Sequence, residues 1–191
     1  VELVNNNSGI KVDTTTAGGY SDGNWHHAVF TYNGSRAASG VKVYVDGKAA
    51  ATVAAQDVLG NATILNNTPL RIGARENGTA ALVGQIDEVT VMNRALTATE
   101  VGVLNAAAVI PAYHKSAIGL GAAGHWRLNG NASDASGNGI TGTWSGASTY
   151  TSAGSMPITN DPSNQSGEYN GSSYTTFGTG SNFSYEANQP W

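Results

Sequence analysis

The stretch GQIDEVTVMNRALTATE, from Gly84 to Glu100, reads as a strand that leads into a helix. Polar and apolar residues alternate from Gln85 to Met92, which is the pattern of a strand with one buried face. The sequence TATE at 97–100 then has the spacing of a capping box, in which Thr97 and Glu100 cap each other's backbone amides. These residues therefore predict a last strand followed by a short helix, which Pro111 ends.

A second informative stretch, GHWRLNGNASDASGNGITG, runs from Gly124 to Gly142. It predicts a strand near residues 125–128 and then a long loop rich in turn-forming residues. Further on, residues 168–171 and 173–177 predict a hairpin. The residues from 109 to 123 contain proline, glycine and small side chains, which is typical of a linker.

The first half of the chain also predicts β-structure. Residues 25–32 are rich in aromatic and β-branched side chains, and Val41 to Val45 places its valines on one face of a strand. Asp46-Gly47 is a strong hairpin signal, because both positions tolerate a positive φ. We expect a return strand at 48–53 and another short strand at 69–73.

The composition excludes several classes of protein. Of 191 residues, 40% are hydrophobic and only 12% are charged, and the net charge is −4 without any basic run. Nucleic-acid binding therefore has no electrostatic basis. No apolar run approaches the roughly 20 residues that a membrane helix needs, so we expect no membrane insertion. The chain has no cysteine, which excludes disulfides and thiolate zinc sites.

Three stretches together resemble the laminin-G-like, concanavalin A-like lectin/glucanase superfamily. Residues 22–32, DGNWHHAVFTY, resemble the family phrase that ends a loop and starts a central strand. Residues 84–97 resemble the closing strand and terminal helix, and residues 128–139 resemble the opening strand and its loop. The resemblance implies an all-β, concanavalin A-like jelly-roll β-sandwich with one short helix at the joint.

The closing phrase precedes the opening phrase, which is the reverse of the family order. We therefore predict that residues 1–108 form the C-terminal half of one laminin-G-like jelly roll, with its terminal helix. Residues 109–123 are then a linker, and residues 124–191 form the N-terminal half of another jelly roll. Three arrangements fit this order: a window on a tandem array, halves completed by a neighbouring chain in an open polymer, or a reduced, permuted fold. The last would expose unpaired backbone where central strands are missing.

A loop with Asp134 and Asn138 offers carboxylate, amide and carbonyl oxygens, which are the ligands that calcium prefers. The resemblance implies a structural calcium at such a loop, with an acidic residue from the closing strand, and Asp87 matches it by position. The alternative is that Asp134 and Asn138 satisfy turn amides, while Asp87 makes a structural hydrogen bond.

Four aromatic residues are candidates for stacking on a sugar, because they lie in polar, turn-rich surroundings: Trp144, Tyr150, Tyr174 and Tyr185. The alternative is that each plugs an edge of the sandwich, since aromatic side chains bury large areas. We expect Trp25 and Trp126 to lie in the core.

The sequence predicts no catalysis. Glycoside hydrolysis needs two carboxyl groups in one cleft, about 5 to 9 Å apart, and neighbouring residues such as Asp87 and Glu88 face opposite ways on a strand. For the same reason His26 and His27 cannot bind one metal ion together, and we interpret them as structural. His114 and His125 have no companion motif.

The leading functional hypothesis is a non-catalytic recognition or adhesion module of a tandem-repeat protein, located outside the cell or on a virion or cell surface. Its partner is a glycan or cell-surface polymer, with calcium holding loops in place. One alternative is a structural subunit of a virion fibre, capsid decoration or surface filament, which binds neighbouring copies. Another is the accessory module of a secreted polysaccharide-degrading enzyme. The scaffold alone does not choose between them.

Overall fold

The computed structural model describes residues 2–5, 8–15, 20, 22–62, 64, 68–75, 80–107, 112–147, 149–151, 164–178 and 182–183. These residues form mainly β-structure, which confirms the predicted all-β class. The strands are β1 (Glu2–Asn5), β2 (Ser8–Thr14), β3 (Ala28–Tyr32), β4 (Val41–Val45), β5 (Lys48–Ala49), β6 (Thr52–Asp57), β7 (Leu70–Ile72), β8 (Val83–Ile86), β9 (Val89–Met92), β10 (Ala122–Trp126), β11 (Gly142–Ser145), β12 (Thr149–Thr151), β13 (Ser166–Asn170) and β14 (Tyr174–Phe177). The helices are α1 (Ala98–Ala107) and α2 (Tyr113–Gly119).

The described residues fall into two compact units. The first draws on residues 1–66 and 93–106, and the second draws on residues 67–92 and 107–183. The first unit contains the antiparallel sheets β1–β2–β6 and β3–β4–β5. Its apolar core gathers Ile10, Val12, Ala38, Val41 and Leu59.

The second unit contains three antiparallel sheets, with strand orders β11–β14–β7, β12–β13–β8 and β10–β9. Each sheet joins strands from before residue 93 to strands from after residue 121: β7 pairs with β14, β8 with β13, and β9 with β10. The sheets of β14 and β13 face each other across a core in which the Tyr169 and Thr175 hydroxyls lie 2.9 Å apart. Trp126 is fully buried, as predicted, and Trp25 is half-buried.

The predicted helix and one hairpin are present. Helix α1 begins at Ala98, and the Thr97 hydroxyl accepts from the Glu100 amide while the Glu100 carboxylate accepts from the Thr97 amide. Asp46 and Gly47 have φ values of 50° and 74°, as the hairpin between β4 and β5 requires. The predicted return strand at 48–53 is divided, because β6 pairs with β2 instead.

Three other predictions from the sequence differ from the structure. The strand predicted from Gln85 to Met92 is two strands, β8 and β9, because Glu88 has a φ of 51° and cannot continue an extended chain. The hairpin predicted at 168–177 is absent from this region, since β13 and β14 belong to different sheets. The predicted strand at 25–32 begins at Ala28, so His26 and His27 precede it.

The second helix was not predicted, because we expected one helix at the joint and a linker through residue 123. Helix α2 has no side-chain cap at Ala112, so the sequence carries no start signal. Its buried Tyr113 and Ala117 are four residues apart on one face, and the helix packs against β10. The boundaries at 108 and 123 stay a prediction. No helix in the described part of the chain is long and apolar enough to cross a membrane.

Candidate functional site

The sheet β11–β14–β7 has one face in the core and one face toward solvent. Trp144 lies opposite Thr175, and Thr175 lies opposite Ile72, so these three side chains share a face. Thr175 and Phe177 are fully buried, which identifies this face as the inner one. The residues between them project the other way, and we call them the outer face: Arg71, Thr143, Ser145, Tyr174 and Thr176.

The outer face combines a cation, an aromatic ring and hydroxyl groups. The guanidinium carbon of Arg71 lies 4.7 Å from the centre of the Tyr174 ring. Arg71 Nη1 donates to the carbonyl oxygen of Arg75 at 3.1 Å, which fixes the guanidinium group above the sheet. The Thr176 hydroxyl donates to the Thr143 carbonyl oxygen at 3.3 Å. The Thr143 and Ser145 hydroxyls lie on the same face, where Thr143 is exposed and Ser145 is half-buried.

Of the four predicted ligand-binding aromatics, Tyr174 lies on the outer face. Trp144 instead packs between the sheets, 5.0 Å from the ring of Tyr169 and 5.4 Å from that of Tyr150. A Cβ atom added at Gly167 would lie 2.8 Å from Trp144 Cη2, so the absent side chain makes room for the indole. Burial raises the pKa of Tyr150. Trp144 and Tyr150 are half-buried and pack on each other, their role in ligand binding stays a prediction, and Tyr185 lies outside the described residues.

A buried polar cluster lies where β9 meets β10. Glu88 Oε1 accepts from Arg127 Nε at 2.9 Å, and Glu88 Oε2 lies 3.0 Å from Nε2 of the fully buried His125. Nδ1 of the same ring lies 2.8 Å from the Thr90 hydroxyl. The His114 ring stacks on His125 with their centres 5.2 Å apart. Sequence reasoning missed this cluster, because His125 meets Thr90 only through the register of β9 and β10.

Asp87 lies beside this cluster and is engaged on both carboxyl oxygens. Oδ1 accepts from the Glu88 amide at 2.9 Å, and Oδ2 accepts from Asn164 Nδ2 at 2.9 Å. Burial raises the pKa of Asp87 to about 7, and the nearby Glu88 carboxylate acts in the same direction. Asp87 therefore exchanges its proton near neutral pH.

The predicted calcium ligands in the loop are also engaged. Asp134 Oδ1 accepts from the amides of His125 and Ser136, and its Oδ2 accepts from the amide of Ile140. Burial alone would raise the pKa of Asp134, but these hydrogen bonds together lower it. Asn138 turns its Nδ2 toward the carbonyl oxygens of Ala122 and Ala123, at 3.4 and 2.9 Å.

A calcium ion at Asp87, Asp134 and Asn138 would have to share the carboxylate oxygens with the backbone amides that already donate to them. Within the described ranges, no three His, Cys, Asp or Glu side chains form a group able to hold a metal ion. The turn-amide alternative accounts for the contacts observed, and calcium binding stays a prediction.

His26 is held by two carboxylates in the first unit. Its Nδ1 lies 2.9 Å from Asp46 Oδ2, and its Nε2 lies 3.1 Å from Asp22 Oδ1. The hydrogen bonds to Asp46 and Asp22 raise the pKa of His26. The Asp46 carboxylate also accepts from the His27 amide at 3.0 Å, which ties the entry of β3 to the hairpin after β4. These contacts agree with a structural role for His26.

Antiparallel sheets with a packed inner face and a polar outer face define a β-sandwich. A laminin-G family model, described as the concanavalin A-like lectin/glucanases superfamily, matches residues 2–102. The match covers more than half of the 191 residues, and the chain belongs to this superfamily. No curated protein and no solved structure matches the chain in the other comparisons.

The match confirms the predicted superfamily and fold class. It includes the phrases at 22–32 and 84–97, whereas the opening phrase at 128–139 lies beyond it. A domain of this kind fits a carbohydrate-binding or adhesion module in general, and the superfamily also includes glycosidases.

Proposed function

We propose that this chain is a non-catalytic carbohydrate-binding module of an extracellular, virion or cell-surface protein with repeated modules, and that its outer face holds the glycan. The observation that carries the proposal is the position of Tyr174. Among the predicted platforms within the described residues, Tyr174 is the one on the outer face, where it is half-buried and lies opposite Ser145 of β11. The partner is a glycan or a cell-surface polymer.

The chemistry of the outer face suits a sugar. A tyrosine ring offers an apolar surface and a polar tip, so it can contact the C–H groups of a pyranose and hydrogen-bond to its hydroxyls. The Thr143 and Ser145 hydroxyls each provide one donor and two acceptor positions. Because they lie on a strand of the sheet, their spacing is fixed before the ligand arrives, which reduces the entropy lost on binding.

The acidic residues support binding without hydrolysis. Both glycosidase mechanisms require two carboxyl groups that flank the scissile bond, and the outer face as defined by its five residues carries none. Glu88 is buried and contacts Arg127 and His125. Asp87 hydrogen-bonds to a backbone amide and to Asn164.

The test is retention of the intact chain on a panel of immobilised polysaccharides, followed by titration of those that bind. We expect Tyr174→Ala to weaken binding by about tenfold or more, equivalent to about 1.4 kcal/mol. The matched control is Tyr20→Ala, which removes a 46% exposed tyrosine from the first unit and should leave the affinity unchanged. Equal affinity of Tyr174→Ala and the unmodified chain would place the ligand on another surface.

A second candidate is a structural subunit that binds neighbouring copies. Phe30 lies opposite Val43, and Ala28 lies opposite Val45, so four apolar side chains share one face of the β3–β4 pair. Phe30 is 61% exposed, and exposed apolar patches commonly mark interaction sites. Analytical ultracentrifugation over a range of concentrations tests this candidate. It predicts reversible association that Phe30→Ser reduces, and a monomer at all concentrations would contradict it.

A further inference from the structure

We infer that the glycan bound by the outer face is anionic, with a carboxylate or sulfate group held by Arg71. This inference rests on the proposed function, since it specifies the ligand of the same surface. It is carried by the charge and the fixed position of one guanidinium group.

Arg71 differs from Arg94 and Arg127 in that no carboxylate contacts it within the described part of the chain. Arg94 Nη2 lies 2.6 Å from Glu100 Oε1, and Arg127 Nε lies 2.9 Å from Glu88 Oε1. The contacts of Arg71 within the described residues are a backbone carbonyl and the Tyr174 ring, both uncharged. The other four outer-face residues are neutral, so these five residues together carry one positive charge in a chain of net charge −4.

The guanidinium group is positioned before a ligand arrives. The Tyr174 ring lies 4.7 Å from the guanidinium carbon, and Nη1 donates to the Arg75 carbonyl oxygen, so two contacts restrain the group. A guanidinium has five N–H donors, of which that bond uses one. The remaining Nη donors can meet two oxygens of a planar carboxylate or of a sulfate, the bidentate geometry that gives such pairs their strength.

Arg71 and Tyr174 have different roles in recognition, since one binds the charge of the sugar and the other contacts its ring. Arg71 selects a sugar with an acidic substituent, while Tyr174 contacts the ring and the hydroxyls of Thr143 and Ser145 bind its polar edge. Cross-strand pairing keeps Tyr174 beside Ser145 and Arg71 opposite Thr176. The ligand therefore spans β11, β14 and β7, with its acidic group over β7.

Matched pairs of polysaccharides test the inference with the full chain. One pair is polygalacturonate and its highly methyl-esterified form, and the other is dextran sulfate and dextran. We expect the chain to bind one acidic polymer about tenfold or more tightly than its neutral counterpart, and to bind more weakly as ionic strength rises. Binding of polygalacturonate would indicate a carboxylate ligand, and binding of dextran sulfate would indicate a sulfate ligand.

Two substitutions separate the contributions. Arg71→Gln keeps a planar polar group but removes the charge, so it should abolish the preference for the acidic polymer. Arg71→Lys keeps the positive charge but loses the planar group that can form two parallel hydrogen bonds, so it should lower that preference only in part. Tyr174→Ala should weaken binding to every polymer that binds. Circular dichroism melting curves identify any variant that fails to fold. If one of the two Arg71 variants does not fold, the other is used to test the inference.

The outcomes distinguish the inference from the proposed function. If the neutral polymers bind as well as the acidic ones, or if Arg71→Gln keeps the preference, the inference is wrong while glycan binding stands. If polyglutamate binds through Arg71 as tightly as polygalacturonate, the outer face recognises only negative charge and not a sugar, and the inference also fails. If no polysaccharide binds, the proposed function itself fails.

Discussion

Glu88 and Asp87 each have an unusual local environment. Glu88 adopts a left-handed backbone conformation, which is costly for a residue with a side chain. Its buried carboxylate accepts a hydrogen bond from Arg127 Nε. Asp87 has no cation of its own among the described contacts and is mainly held by neutral donors. Burial is therefore the largest influence on the pKa of Asp87.

We predict that Asp87→Asn removes a pH dependence of stability. Because the folded-state pKa of Asp87 is raised from 3.8 to about 7, the folded protein binds this proton more tightly than the unfolded chain does. The free energy of unfolding should therefore fall as pH rises from about 4 to 7, by about 2 to 4 kcal/mol from this group. Urea denaturation at several pH values measures the difference between the unmodified chain and the variant.

Asparagine is similar in size to aspartate and cannot ionise, so its stability should not include this loss. The variant should be relatively more stable at pH 8 than at pH 4. A constant difference between the two proteins across this range would contradict the raised pKa of Asp87.

Arg71 and Tyr174 illustrate how far residue patterns could predict the candidate site. The alternation in Leu70-Arg71-Ile72 indicates that Arg71 faces away from its apolar neighbours, and Tyr174 likewise faces away from the adjacent Thr175 on its strand. It does not indicate that the two strands are adjacent, since β7 and β14 lie far apart in the sequence. Tyr174 was therefore predictable as a candidate, whereas its pairing with Arg71 was not.

At the scale of helices and strands, the sequence predicted those elements that are stabilised by contacts between residues close together in the chain. Helix α1 and the hairpin at Asp46-Gly47 each depend on residues within four positions of one another, and both are present. Helix α2 was not predictable in this way, because it lacks a cap and depends on packing against β10. The break between β8 and β9 was missed because the alternating pattern does not reveal a positive φ at Glu88.

The capping box of α1 provides a test at this scale. Thr97→Ala removes the hydroxyl that accepts from the Glu100 amide, and we expect it to lower the free energy of unfolding by about 1 kcal/mol. Thr99→Ala is the matched control, since Thr99 is exposed within the same helix and alanine has the higher helix propensity. Chemical denaturation of both variants measures the effect, and equal stabilities would show that the cap does not stabilise α1.

At the scale of the whole molecule, the notable feature is the pairing of early strands with late ones. The β7, β8 and β9 strands supply one neighbour each to β14, β13 and β10. The resemblance identified sequence segments from the two ends of a jelly roll. The order of these segments along the chain does not indicate which strands pair with each other. Long-range pairing is set by packing of the complete sheets, which a local pattern does not encode.

This pairing predicts how fragments behave. A fragment that begins at residue 67 keeps every strand of the second unit, and it should show a cooperative thermal transition. A fragment that begins at residue 107 lacks β7, β8 and β9, so β13 and β14 lose hydrogen-bonded neighbours and should not fold. Circular dichroism melting curves distinguish them, and a cooperative transition in the shorter fragment would mean that the early strands are not needed.

The outer face as a glycan surface is tested most directly by locating a bound sugar on the intact chain. Amide chemical-shift changes can be followed by NMR while trigalacturonate is titrated into the isotope-labelled protein. We predict that the largest changes cluster at residue 71, at residues 143–145 and at residues 174–176, and that Tyr174→Ala abolishes them. Changes that cluster in another part of the chain, or persist undiminished in Tyr174→Ala, would contradict the account.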